Sequence, residues 1–159
     1  MHNETIRKHL VKLLEGNQSY TKMETALQEV PFELIGLKPD GFPYSIWQLV
    51  EHIRISQWDI IEFSGSADHV SPKWPDEYWT KETGPKTRHD WQKSLKSITE
   101  YQLIFIDIIN NPDVDLFSIF DWGSGQTMFR EVLVLAEHNA YHTAQILLLK
   151  KLLMTRNFF

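Results

Sequence analysis

Apolar side chains return every three or four positions along four stretches of this chain, the period of an α-helix with one face turned inward. In the first, residues 3–16, Ile6, Leu10, Leu13 and Leu14 share a face and Gly16-Asn17 supplies a stop. A shorter turn of helix is predicted from Thr21, where Thr21-Lys22-Met23-Glu24 has the form of a capping box and Pro31 closes the element. The second long helix opens sharply, because Ser45 and Gln48 can cap each other after the turn-forming Gly41-Phe42-Pro43, and it should reach about residue 63. Its Ile46, Leu49, Val50, Ile53, Ile55, Ile60 and Ile61 wrap more than half the circumference, which suits a central helix with neighbours on several sides. The third is expected over 87–111, ended by Asn110-Asn111-Pro112, with Leu95, Ile98, Tyr101, Leu103, Phe105, Ile106 and Ile109 as its apolar residues. The fourth covers 127–153, long enough at roughly 1.5 Å per residue to cross a domain of this size.

Two connections are long and aromatic. Residues 64–86 hold Pro72, Pro75, Gly84 and Pro85 among Trp74, Tyr78 and Trp79, so the segment should pack on the helices. As a crossover it would set the second and third long helices parallel. Residues 115–125 carry Phe117, Phe120 and Trp122 before the flexible Gly123-Ser124-Gly125, with room for a short hairpin. No repeat, low-complexity tract or shift of composition divides the chain, so the expected architecture is one all-α domain over 1–159, a helical bundle with a short extra helix.

A chain of 159 residues buries roughly 68–70% of the surface its unfolded form exposes, enough for a core without staples. The absence of cysteine removes disulfides, thiolate nucleophiles and cysteine-based metal sites, so any metal must use nitrogen or oxygen ligands. A net charge of −5, with only the basic doublets Arg7-Lys8 and Lys150-Lys151, argues against nucleic acid as a partner. The charged start, Met1 to Lys8, lacks the apolar core of a signal peptide and no run is long enough for a membrane span, so the expected compartment is the cytoplasm.

Candidate chemistry lies on two helices. His138 and His142, one helical turn apart, project from the stripe that holds Leu135, Gln145 and Leu149, so both imidazoles can reach one ion. His52, between Leu49 and Ile55, can face the same interior. Three imidazoles make an incomplete shell for zinc, nickel or ferrous iron, with positions left for water or substrate. The bland alternative is a set of polar core residues. His2, His9, His69 and His89 are expected at the surface, and Trp47, Trp58 and Trp122 in packing roles. Asn139 stands where a zincin of the His-Glu-x-x-His type needs its glutamate, and no Glu is followed three positions later by His, which speaks against a metalloprotease and a carboxylate-bridged di-iron centre.

In order and spacing, nearly the whole chain resembles the DinB/YfiT-like family of metal-binding four-helix bundles. The resemblance rests on His52 within Trp47-Gln48-Leu49-Val50-Glu51-His52-Ile53, on Glu137-His138-Asn139-Ala140-Tyr141-His142-Thr143-Ala144-Gln145, and on Asp121-Trp122-Gly123 before the last helix. It departs from a frequent family form at Thr143-Ala144, where Arg-Gly is common. The resemblance implies an up-down-down-up bundle, often a homodimer, with His52, His138 and His142 as ligands of a divalent metal such as zinc or nickel. It further implies a thiol S-transferase using a low-molecular-weight thiol, or a metal-dependent hydrolase, acting on a small molecule. Coordination can lower the pKa of a bound water to about 7 or ionise a bound thiol, so the metal-bound group would be the nucleophile, with Glu51 or Glu131 as candidate helpers. The alternative is a non-catalytic metal-binding stress-response or dimeric interaction protein, whose sign would be a closed site with a fourth ligand or an aromatic such as Trp122 over the ion.

Overall fold

The computed structural model describes residues 2–16 and 18–156, with the side chains of residues 2 and 156 outside the description. Met1, Asn17 and the His2 side chain, named above, therefore lie outside the described residues, as do the Arg156 side chain and the terminal Asn157-Phe158-Phe159. The protein is all-α. Its helices are α1 (His2–Glu15), α2 (Met23–Leu27), α3 (Ile46–Gly65), α4 (Arg88–Asn110) and α5 (Met128–Arg156), with short 3-10 turns at Phe32–Leu34 and Asp76–Tyr78.

Capping chemistry sets the two best-defined starts. Ser45 accepts from the Gln48 amide while Gln48 accepts from the Ser45 amide, and Thr87 and Asp90 do the same for α4. At the end of α1, Gly16 takes φ of +67°, a left-handed conformation that stops the helix and that a residue with a Cβ rarely adopts. The expected capping box at Thr21 does not form. Lys22 occupies the N-cap of α2 without a side-chain bond, and the helix stops at Leu27 because Glu29 turns the chain at φ of +62°. Pro31, with φ fixed near −58°, then opens the next 3-10 turn instead of closing α2. The hairpin expected in 115–125 reduces to one antiparallel bridge between Ile119 and Thr127.

Side-chain pairings show how the helices meet. Trp47 packs on Trp91 and Arg54 bonds Tyr101, so positions rise together along α3 and α4. Between α1 and α4 they run oppositely, with Gln102 donating to the Leu14 carbonyl and Arg7 reaching Ile109. Two apolar clusters result. Ile46, Leu49, Val50, Ile53, Ile98, Ile146 and Leu149 join with α2 and the 3-10 turn after it. At the other end, Leu10, Leu14, Phe105, Ile109, Leu116, Met128, Val132 and Leu135 pack together. Along α5 the clusters stop at Ala136 and resume at Ile146, and the interval holds His138, His142 and Thr143. A polar layer therefore lies between two apolar ones. Leu103, expected to be inward, is exposed together with Ile104, because the buried side of α4 runs through Ile98, Phe105 and Ile109.

The 66–87 connection is stitched to the start of α3. Ser45 Oγ donates to the Thr83 carbonyl, Gln48 Nε2 donates to the Thr80 carbonyl, and Gly36 and Gly84 approach so closely that a Cβ on Gly36 would stand 2.9 Å from Gly84 Cα. The expectation that this segment packs on the helices is met. Among the described residues no helix is long and apolar enough to cross a membrane.

Candidate metal centre

His52, His138 and His142 meet in the polar layer. Each offers a nitrogen, and the three nitrogens lie within 4.8 Å of one another. Ring centroids are 4.8 Å apart for His52 and His138, 4.6 Å for His52 and His142, and 4.4 Å for His138 and His142. His52 and His142 are buried, and His138 is partly so. Among the described residues the cluster holds these three histidines and no carboxylate.

The outward nitrogens decide what the inward ones can do. His52 Nδ1 stands 3.0 Å from the Tyr78 carbonyl oxygen, which can only accept, so this nitrogen carries the hydrogen and Nε2 carries a lone pair. His142 Nδ1 likewise donates to Gln145 Oε1 at 2.7 Å. The freed Nε2 of His52 faces His138 Nε2 at 3.0 Å. With metal–nitrogen bonds of about 2.0–2.1 Å, two nitrogens on one tetrahedral ion sit roughly 3.3 Å apart, so the set fits a single ion with small side-chain adjustments. A ligand imidazole whose other nitrogen donates to a carbonyl or amide oxygen is the usual arrangement of a histidine metal site.

The electrostatics agree. Burial pushes His52 down to about 4, against the opposing pull of the Tyr78 carbonyl. Burial, reinforced by the nearby His142 and His52, pushes His138 down to about 3. Burial also lowers His142. All three are therefore neutral near pH 7, the form that binds a metal ion.

The surroundings correct several expectations. Trp79, not Trp122, lies against the cluster, stacked on His52 at 3.9 Å between ring centroids with Tyr44 behind it at 3.8 Å. Trp122 stacks on Phe120 and donates to the Phe63 carbonyl, three helical turns beyond His52, so of the two aromatic connections it is 66–87 that walls the histidines. Glu51 is buried but turned aside, gripping Arg54 through two bonds of 2.9 and 2.7 Å beside a cavity of about 440 Å³. Glu131, two turns before His138, is buried and paired with Arg130 at 2.6 Å. Neither helper candidate joins the cluster. His9 and His89 are exposed as expected, but His69 is tucked in, its Nε2 2.8 Å from Asp59 Oδ1.

Sequence reasoning missed Asp59, His69, Trp79 and the Tyr78 carbonyl. Asp59 stands seven positions after His52 on the same side of α3, and Gln145 three after His142, spacings that were there to be read. A backbone carbonyl supplied by a loop leaves no mark in the residue types. Comparison with known proteins finds no matching family model, no matching curated protein and no matching solved structure.

Proposed function

We propose that His52, His138 and His142 hold one divalent transition metal, zinc, nickel or ferrous iron, at the centre of a DinB/YfiT-like enzyme acting on a small molecule. The observation that carries this reading is the convergence of three neutral imidazoles, two of them with the outward Nδ1–H already engaged by a protein oxygen. The parallel pairing of α3 with α4 and the antiparallel pairing of α1 with α4 support an up-down-down-up four-helix bundle, with α2 as the extra element. The reaction is thiol S-transfer or hydrolysis in the cytoplasm. A divalent ion bound there supplies the Lewis acidity that makes a water or a low-molecular-weight thiol nucleophilic near neutral pH.

The chain's own residues hold and orient. The Tyr78 carbonyl and Gln145 aim His52 and His142, and Trp79 screens His52 from water. A chain without cysteine must take any thiol as cosubstrate. A second reading, a metal-binding protein without turnover, is favoured by the burial of His52 and by the aromatic stacked on it. Protein loaded with each metal in turn, incubated with electrophile plus low-molecular-weight thiol and with small esters and amides, separates the two. Turnover that needs the metal and vanishes in His142→Ala supports the enzyme; stoichiometric metal without turnover supports the binder.

We also propose a homodimer. Leu133, Tyr141, Leu148 and Leu152 form an exposed apolar stripe along α5 that a second copy would cover.

A further inference from the structure

Resting on the metal reading above, we propose that Asp59 is a positioning residue of this centre, fastening the 66–87 connection to α3 so that the Tyr78 carbonyl and the Trp79 ring fix His52. Asp59 follows His52 by two helical turns, so both present to the same segment. Its buried carboxylate takes two donors from that segment. The Tyr78 hydroxyl donates to Oδ2 at 2.5 Å, and His69 Nε2 meets Oδ1 at 2.8 Å. His69 is held in turn edge-on against Trp58, with ring centroids 5.3 Å apart. One carboxylate thus grips both ends of the arc from residue 69 to residue 78.

Tyr78 is the link. Its side chain is anchored to Asp59 while its carbonyl, 3.0 Å from His52 Nδ1, decides which nitrogen of His52 is left to face His138 and His142. The next residue, Trp79, lies parallel to the His52 ring within 7°. The other stitches, at Thr80, Thr83 and Gly84, hold the far part of the connection, whereas the 69–78 arc meets α3 through Asp59, His52 and the Trp58 ring. Burying a carboxylate is costly unless it is fully bonded, and here both oxygens are satisfied by the same segment that supplies the acceptor for His52.

The test compares wild type with Tyr78→Phe, which keeps ring and carbonyl and deletes only the hydroxyl, and with Asp59→Asn. Zinc affinity is measured by competition with a chromophoric chelator, and the His52 tautomer of the metal-free protein by long-range nitrogen–proton NMR. Both variants are expected to bind zinc about tenfold or more weakly. In the metal-free variants the single His52 Nδ1–H signature should become a mixture of tautomers. A destabilising change in the distant apolar cluster, Ile109→Val, should leave both readouts at wild-type values. Wild-type zinc affinity together with an unchanged tautomer in Tyr78→Phe would overturn the proposal, and that variant decides alone if Asp59→Asn does not fold. Should the wild type take up none of zinc, nickel and ferrous iron, the metal reading falls, while the tautomer comparison still decides the positioning role.

Discussion

At the scale of single residues, a histidine becomes a ligand by what its far nitrogen does. The Tyr78 carbonyl and Gln145 each take an Nδ1–H, leaving Nε2 of His52 and of His142 for the interior. The same burial that exposes these lone pairs to one another makes the metal-free protein sensitive to acid. His52 is held down to about 4 and His138 to about 3, whereas in the unfolded chain both take a proton near 6.5. Between those values the unfolded chain binds more protons, so metal-free stability should be flat above pH 6.5 and fall as pH drops toward 4 and below. Urea unfolding of metal-free protein from pH 7 to pH 4.5 checks this. A His52→Gln, His138→Gln double variant should decline less steeply, and an identical decline would show that these two rings are not the cause. The choice of the three histidines was legible from the residues, because two share a helical face and the third sits on an apolar margin. Their orientation was not, since it depends on a carbonyl contributed by a loop.

Among the elements, a capping pattern was readable at Ser45, three positions before Gln48 at the head of a long amphipathic helix, and the structure adds a second at Thr87 and Asp90. Thr21 carries a similar pattern, but its helix is only five residues long and begins beyond it, so propensity had no long apolar face to reinforce it. The end of α4 was readable from Asn110-Asn111-Pro112, but the side chain that closes it was not. Arg7, from α1, donates to the carbonyls of Ile109, Asn111 and Val114 at 2.6, 2.9 and 2.6 Å, closing the C-terminal turn of a helix one hundred residues away. Arg7→Ala should cost about 2–4 kcal/mol, since it removes a buried cation's hydrogen bonds to one buried and two part-buried carbonyls. It should leave metal binding at wild-type strength because Arg7 lies in the apolar layer beyond the histidines. Thermal unfolding alongside a zinc titration separates the two effects, and a loss of affinity would mean that the apolar layer and the histidine layer are coupled. Phe105→Ala, in the same cluster, should cost about 3–5 kcal/mol by leaving a cavity.

For the whole molecule, two apolar layers with a polar one between them mean that most of the stability comes from either side of the histidines. Removing ligands should therefore leave a folded protein. The all-helical architecture and the packing of the 66–87 connection were readable from periodicity and aromatic content, while which of the two aromatic connections lies against the histidines was not. The exposed stripe along α5 gives a further expectation. Light scattering should report a dimer for the wild type and a monomer for Leu148→Glu, and a monomeric wild type would remove the second copy. The central claim is tested most directly by elemental analysis of untagged protein purified without added metal and after incubation with zinc, nickel and ferrous iron, beside His52→Ala and His138→Ala. One divalent ion per chain in the wild type, lost in both folded variants, is the expected result. A wild type that takes up none of these metals, or variants that keep the full complement, would contradict it.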